Sequence, residues 1–176
     1  MKQDTTLYEG RYLTLAERDR WEFVTRSNAR CVVALVALTA DNEIVLVEQY
    51  RKPVDAFVIE IPAGLVGDLA DPDEPILLAA ARELEEETGF VSPRMRHLVD
   101  CPSSAGMSDE VISFVLAEDL DRVGPGGGDA SENIEVHVVS LDEVDDWLVR
   151  QLSAGKRLDP KVYSALYWLK CNNPFS

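Results

Sequence analysis

Nine consecutive residues, Arg82-Glu83-Leu84-Glu85-Glu86-Glu87-Thr88-Gly89-Phe90, concentrate the chemistry of this chain. At about 100° per residue, Glu83, Glu86 and Glu87 share one face of a helix, and Glu85 points elsewhere. This predicts three carboxylates in one exposed patch near a helix C-terminus, where the helix dipole already disfavours negative charge. Like charges at this spacing cost about a few tenths of a kcal/mol per pair. A patch that is unfavourable on its own points to a use. The usual one is a hard divalent cation, which takes oxygen ligands. A solvated acidic face is the alternative for any run of glutamates, and the residue order favours the cation.

Elements must hold that patch in place. The apolar run Ile76-Leu77-Leu78-Ala79-Ala80-Ala81 consists of good helix formers, and Gly89 supplies a stop. Leu77, Ala81 and Leu84 are expected as the core stripe. Before the helix, Tyr12–Leu15 and Trp21–Val24 read as short strands. Cys31–Thr39 and Glu43–Tyr50 read as a hairpin through Asp41-Asn42, and Phe57–Ile61 as a further strand. After it, His97–Cys101, Val111–Ala117 and Glu132–Val139 read as strands, separated in part by a flexible glycine-rich loop, Val123–Asp129. Leu141–Leu152 is expected as a helix capped by Ser140 with Glu143. Asp159–Lys170 is expected as a last helix with Val162, Leu166 and Leu169 inward. Residues 1–30 have too few apolar groups to fold alone and must pack on the body or on a second subunit.

The order Arg-Glu-Leu-x-Glu-Glu-x-Gly-Phe resembles the helical half of the Nudix box. Seven residues separate Glu74 from Arg82, as that pattern asks. The glycine spacing departs from it: nine residues separate Gly64 from Glu74 and six separate Gly67, where the family has five. Leu65–Asp73 is therefore read as a loop lengthened by insertion. Glu48-Gln49-Tyr50-Arg51 and Glu60-Ile61-Pro62-Ala63-Gly64 resemble the ADP-ribose pyrophosphatase branch. Ser104–Glu110 is similar to its Gly-x-Ser-[Asp/Asn] turn, which brings in Gly106 and Ser108.

The resemblance covers about residues 20–170 and implies an α/β fold. This is a Nudix-type α/β/α sandwich with a mixed sheet, spanning 29–176, plus a small N-terminal β segment, 1–28, exchanged in a homodimer. It implies hydrolysis of the pyrophosphate of ADP-ribose, or of a related nucleoside diphosphate sugar, to AMP and ribose 5-phosphate. The implied cofactor is Mg²⁺, with Mn²⁺ as the other ion. GDP-mannose or another nucleotide sugar is the alternative substrate, and a non-catalytic ligand-binding regulator the alternative class.

By motif position, Glu83 and Glu87 are implied as direct metal ligands. Glu86 is a further or water-mediated one, and the Ala63 carbonyl the backbone ligand. Arg82 is implied as an ion pair orienting Glu86, and Glu74 as support. The general base of the branch resembles a glutamate on a loop well after the box. Glu132 fits that place, and Glu135 is the alternative. Arg51 is expected to meet a phosphate or else to form a surface salt bridge. Glu60 is expected to accept from ribose hydroxyls or to be a strand-end charge. Trp21 resembles the branch's adenine-stacking tryptophan, with a core or interface aromatic as the alternative.

Composition narrows the classes. The 176 residues suit one domain. A net charge of −15 argues against a nucleic-acid surface. Cys31, Cys101 and Cys171 are far apart with no C-x-x-C, so neither zinc nor a disulfide framework is indicated. No apolar signal core opens the chain, and the run Cys31–Leu38 is too short to span a bilayer. These features make the cytoplasm the expected compartment, without membrane association. His97 and His137 form no H-E-x-x-H, and Ser103-Ser104 lacks a nucleophile elbow. The glycine-rich loop is not a P-loop, since no Gly-Lys-[Ser/Thr] follows it.

Overall fold

The computed structural model describes residues 4–67, 71–128 and 133–171. In chain order, β1 (Thr5–Glu9), β2 (Leu13–Arg18) and β3 (Trp21–Arg26) come first. Then follow β4 (Cys31–Ala37), β5 (Glu43–Arg51), β6 (Ala56–Glu60) and β7 (Ala63–Val66). Helix α1 (Ile76–Thr88) precedes β8 (Phe90–Val91), β9 (Arg94–Pro102), β10 (Val111–Glu118) and β11 (Asp121–Arg122). The chain continues with β12 (Glu135–Ser140), α2 (Val144–Ser153), β13 (Arg157–Leu158) and α3 (Pro160–Cys171).

Two mixed four-stranded sheets form the body. One has the order β7-β4-β10-β9, with β10 parallel to β4. The other has the order β12-β5-β6-β13, with β13 parallel to β6. They meet where the Leu35 N–H donates to Pro62 O at 2.8 Å. Alternate residues of a strand face opposite sides, and β4 buries both. Val33, Leu35 and Ala37 pack with Ala79, Ala80 and Leu84 of α1. Ala34 and Val36 join Leu148 of α2 and Val162 and Leu166 of α3 in a second core. A strand covered on both faces reads as a continuous apolar run, which is what Cys31–Ala37 shows. The layers are α1, sheets, then α2 with α3: an α/β/α arrangement.

The expected β4–β5 hairpin is not formed. Asp41-Asn42 does reverse the chain, with Asn42 at φ 61° and the Thr39 N–H donating to Glu43 O at 2.9 Å. Beyond the isolated bridge Leu38–Ile44, however, the two strands diverge into different sheets. Turn residues set a reversal, while the partner of a strand buried on both faces is set by packing from distant parts of the chain. The core stripe of α1 is also shifted. Ala79, Ala80 and Leu84 are buried, whereas Leu77 and Ala81 are exposed. The small alanines let the helix approach the strands closely.

Smaller differences concern ends. Leu65 and Val66 belong to β7 rather than to a loop. Helix α2 starts at Val144 behind Glu143, with no side-chain cap. Ser140 Oγ instead accepts the Asp142 N–H in the preceding turn. Within the expected strand Glu132–Val139, β12 begins only at Glu135.

The N-terminal strands form a separate antiparallel sheet, β1-β2-β3, of which β1 was not foreseen. This sheet does touch the body. The Val24 N–H donates to Met107 O at 2.8 Å, and Arg26 Nε lies 2.9 Å from Glu110 Oε1.

Candidate active site

The C-terminal half of α1, the β6–β7 corner, the end of β5 and the β13–α3 junction enclose a cleft of about 750 Å³. Glu83, Glu86, Glu87, Arg82 and Ala63 line it together with Arg51 and Glu60. Seven of the residues singled out from sequence thus share one cavity. Gly89 ends α1 in the left-handed region at φ 72°, as a C-terminal glycine does. The glycine-rich loop is tied to the same end: the N–H groups of Gly127 and Gly128 donate to the carbonyls of Glu87 and Glu86 at 2.8 and 3.0 Å.

The three carboxylates do not form the uniformly exposed patch expected of them. Glu87 is buried, at 3% exposure, and Glu86 is exposed. Two N–H donors hold Glu87: the Ala63 backbone at 2.9 Å and Gln49 Nε2 at 3.4 Å. Buried polar groups need such partners. Glu83 lies over the backbone of Gly64, where a Cβ would stand 1.8 Å from its carboxyl carbon. Only a glycine leaves that cradle open.

Arg82 knits the acids together. Its Nε and Nη2 donate to the two oxygens of Glu74, each at 3.2 Å. Its Nη1 donates to Glu83 at 2.8 Å and Glu86 at 3.2 Å, and Nη2 also reaches Leu65 O at 3.1 Å. The guanidinium holds the Glu74 carboxyl below its ordinary range, against the opposing effect of burial. Glu74 in turn pulls the Arg82 pKa upward. Glu74 also accepts the Gly67 N–H, at 3.3 Å. Arg82 thus spans β7, the following loop and both neighbouring acids, a wider reach than the Glu86 pairing expected of it.

On the opposite wall, Arg51 forks onto Glu60, with Nε at 2.5 Å and Nη2 at 3.1 Å from its two oxygens. Lys161 Nζ lies 3.8 Å from the same carboxylate. Three further expected residues form a separate group outside the cleft lining. Trp21 Nε1 donates to Gly106 O at 3.2 Å, and Ser108 Oγ lies 3.1 Å from Ser103 Oγ. Trp21 is 63% exposed. Glu132 lies outside the described residues.

Sequence reasoning gave no role to Gln49, Arg26, Arg157 or Lys161, although Gln49 stands in the Glu48–Arg51 motif. For Gln49 a signal existed: it alternates with Glu48 along β5. Glu48, which carries the branch motif, faces away from the cleft. Its Oε2 lies 2.6 Å from Lys156 Nζ and 3.0 Å from His137 Nε2. Burial pushes the Glu48 pKa up, but the Lys156 and His137 bonds outweigh it and leave it lowered. Donor atoms of Glu48, Glu135 and His137 lie within 4.8 Å of one another. Lys156 already supplies a cation there.

The acids on this wall are the donor type for a hard divalent ion, although the carboxylate and imidazole atoms that converge within 4.8 Å among the described residues are those of Glu48, Glu135 and His137. Carboxylate oxygens of Glu83, Glu86 and Glu87 and the Ala63 backbone are the ligand type such ions take, and the Gly64 cradle gives one of those carboxylates its seat.

Comparison with known proteins agrees with this fold. The NUDIX domain family matches residues 29–163. The methanol dehydrogenase activator of Bacillus methanolicus is 35% identical over 139 residues, covering 78% of this chain and 71% of that protein. The ADP-ribose pyrophosphatase of Bacillus subtilis is 31% identical over the same shares. A solved structure of an ADP compounds hydrolase shares the fold at 24% identity, with a TM-score of 0.73 over 96% of this chain and 92% of that one. The chain belongs to the NUDIX family and is a Nudix pyrophosphohydrolase of the ADP-ribose pyrophosphatase branch.

Proposed function

We propose that the protein hydrolyses the pyrophosphate of ADP-ribose, or of a related nucleoside diphosphate sugar, to AMP and ribose 5-phosphate. One observation carries this reading: a single cleft has the acids of α1 on one wall and the Arg51–Glu60 pair on the other. The first suits a metal-bound diphosphate, and the second a phosphate and a ribose hydroxyl. The names of the relatives, including the ADP-sugar pyrophosphatase of Mus musculus, point the same way.

Glu83, Glu86, Glu87 and the Ala63 carbonyl would hold Mg²⁺, or Mn²⁺ in its place. Held by these residues, such an ion would supply charge neutralisation for a diphosphate. Arg82 positions Glu83 and Glu86. Glu132 takes the proton of the attacking water. Support for that role is its place in the sequence, just after the glycine-rich stretch whose Gly127 and Gly128 N–H groups donate to the last carbonyls of α1. Arg51 steadies a phosphate and Glu60 accepts from a ribose hydroxyl.

Trp21, Gly106 and Ser108 bind the adenine side in a homodimer built through residues 1–28. Exposed Leu7, Tyr8, Tyr12, Leu13 and Trp21 on the N-terminal sheet support such a partner subunit. Among the described residues no helix is long and apolar enough to cross a membrane. The free thiols of Cys31, Cys101 and Cys171 support a cytoplasmic place.

A phosphate-release screen over a nucleotide-sugar panel with Mg²⁺, coupled to a phosphatase, tests the reading. ADP-ribose should lead. GDP-mannose leading would move the substrate and keep the reaction. No turnover on any member would overturn the reading.

A further inference from the structure

The strand register brings a second arginine to the cleft wall opposite α1. Strand β6 runs between β5 and β13. Arg51 pairs with Ala56, and Arg157 pairs with Val58. Paired residues share a face, and Ala56, Val58 and Glu60 alternate onto the same one. Val58, Glu60, Arg51 and Arg157 all line the cleft. The two arginines therefore rise from one face, two strands and about 12 Å apart.

Their ion pairing differs. Five basic side chains line the cleft, and four have carboxylate partners. Arg26 pairs with Glu110, Arg51 with Glu60, Arg82 with Glu74, Glu83 and Glu86, and Lys161 with Asp159. Arg157 has no ion pair or side-chain hydrogen bond among the described residues. In a chain with 32 acidic and 17 basic residues, carboxylates to pair with it are abundant. An unpaired guanidinium facing a cleft offers a planar fork of donors that matches a phosphate or carboxylate.

We propose that Arg157 is the receptor for a phosphoryl oxygen of the substrate's diphosphate, on the wall facing the α1 acids. Arg157 then holds the diphosphate from the side of the cleft facing the α1 acids. Arg157 is a specificity determinant for the anionic bridge, and neither the family motif nor the relatives' names assign it. The inference rests on the nucleotide-sugar reading for its substrate but not for its anion.

Calorimetric titration of the intact protein with inorganic pyrophosphate, without Mg²⁺, tests it directly. Arg157→Ala should weaken binding about tenfold, a loss of about 1.4 kcal/mol. Arg157→Lys should recover part of the loss, since it keeps the charge but not the fork. Arg150→Ala, on the exposed side of α2 and outside the cleft lining, should bind as wild type. With the preferred nucleotide sugar, Arg157→Ala should raise KM about tenfold and leave kcat within a few-fold. No pyrophosphate binding by wild type, or equal binding by Arg157→Ala, would overturn the proposal. Failure of the sugar panel would remove the reaction and leave the pyrophosphate titration to decide on Arg157.

Discussion

Gly64 and Glu83 compete for one volume. A side chain on Gly64 would put its Cβ 1.8 Å from the Glu83 carboxyl carbon and 2.0 Å from an oxygen. A glycine 19 residues away in sequence (83 − 64) therefore decides where a proposed metal ligand can sit. Glu83 ends in a flexible carboxylate, so Gly64→Ala should be absorbed by moving that carboxylate rather than by unfolding. A displacement of about 1 Å at a reacting centre can cost about 10²-fold. Gly64→Ala should thus lower kcat by about that factor with a nearly unchanged melting temperature. Wild-type kcat in the variant would show that the seat of Glu83 is immaterial.

Acid should loosen the Arg82 network. The Glu74 carboxyl is held below its ordinary 4.5. A carboxylate depressed on folding contributes stability that is full above the unfolded pKa and is lost as pH falls through the folded one. Melting temperature should therefore fall as pH drops below about 4.5, the ordinary value. Glu74→Gln should start lower at neutral pH and show a shallower fall in acid. Parallel curves for the two proteins would mean that Glu74 is not linked to folding in this way.

Much of the site was legible because its chemistry follows a helical period. The spacing of Glu83, Glu86 and Glu87 places them on one side of α1 whatever α1 packs against. What the spacing does not contain is depth. Leu77 and Ala81 suited a core stripe as well as Ala80 and Leu84 did, and the sheet chose the alanines, burying Glu87 with them. The β4–β5 pairing failed for a related reason, since a local turn is silent on distant partners. Arg157 was invisible because its place depends on β13 pairing with β6, about a hundred residues earlier (157 − 58 = 99).

The identity of the base separates two neighbouring glutamates. Glu132→Gln should lower kcat by about 10²–10⁴-fold, the usual scale of general-base help, with little change in KM. Glu135 begins β12 opposite Glu48, and its replacement by Gln should leave kcat within a few-fold. The reverse pattern in the two variants would move the role to Glu135.

Trp21 links the N-terminal sheet to affinity. Base–aromatic stacking is worth about 1–3 kcal/mol in single-strand binding proteins. By that analogy, Trp21→Ala should raise KM for ADP-ribose roughly ten- to a hundredfold, with kcat little changed. Removing residues 1–25 should weaken both dimerisation and substrate binding. A fully active monomer in light scattering would refute the shared site.

The metal-ligand role of the α1 acids is tested most directly by Mg²⁺-dependent AMP release from ADP-ribose in Glu83→Gln and Glu87→Gln. Each variant removes one charged ligand while keeping the side chain's shape. Initial rates, followed by chromatography across a Mg²⁺ series, should fall by orders of magnitude in both, with the melting temperature in metal-free buffer close to wild type in Glu83→Gln and lowered in Glu87→Gln, whose amide meets the two N–H donors that hold the buried carboxylate. Near-normal Mg²⁺-dependent AMP release in either variant would contradict the account.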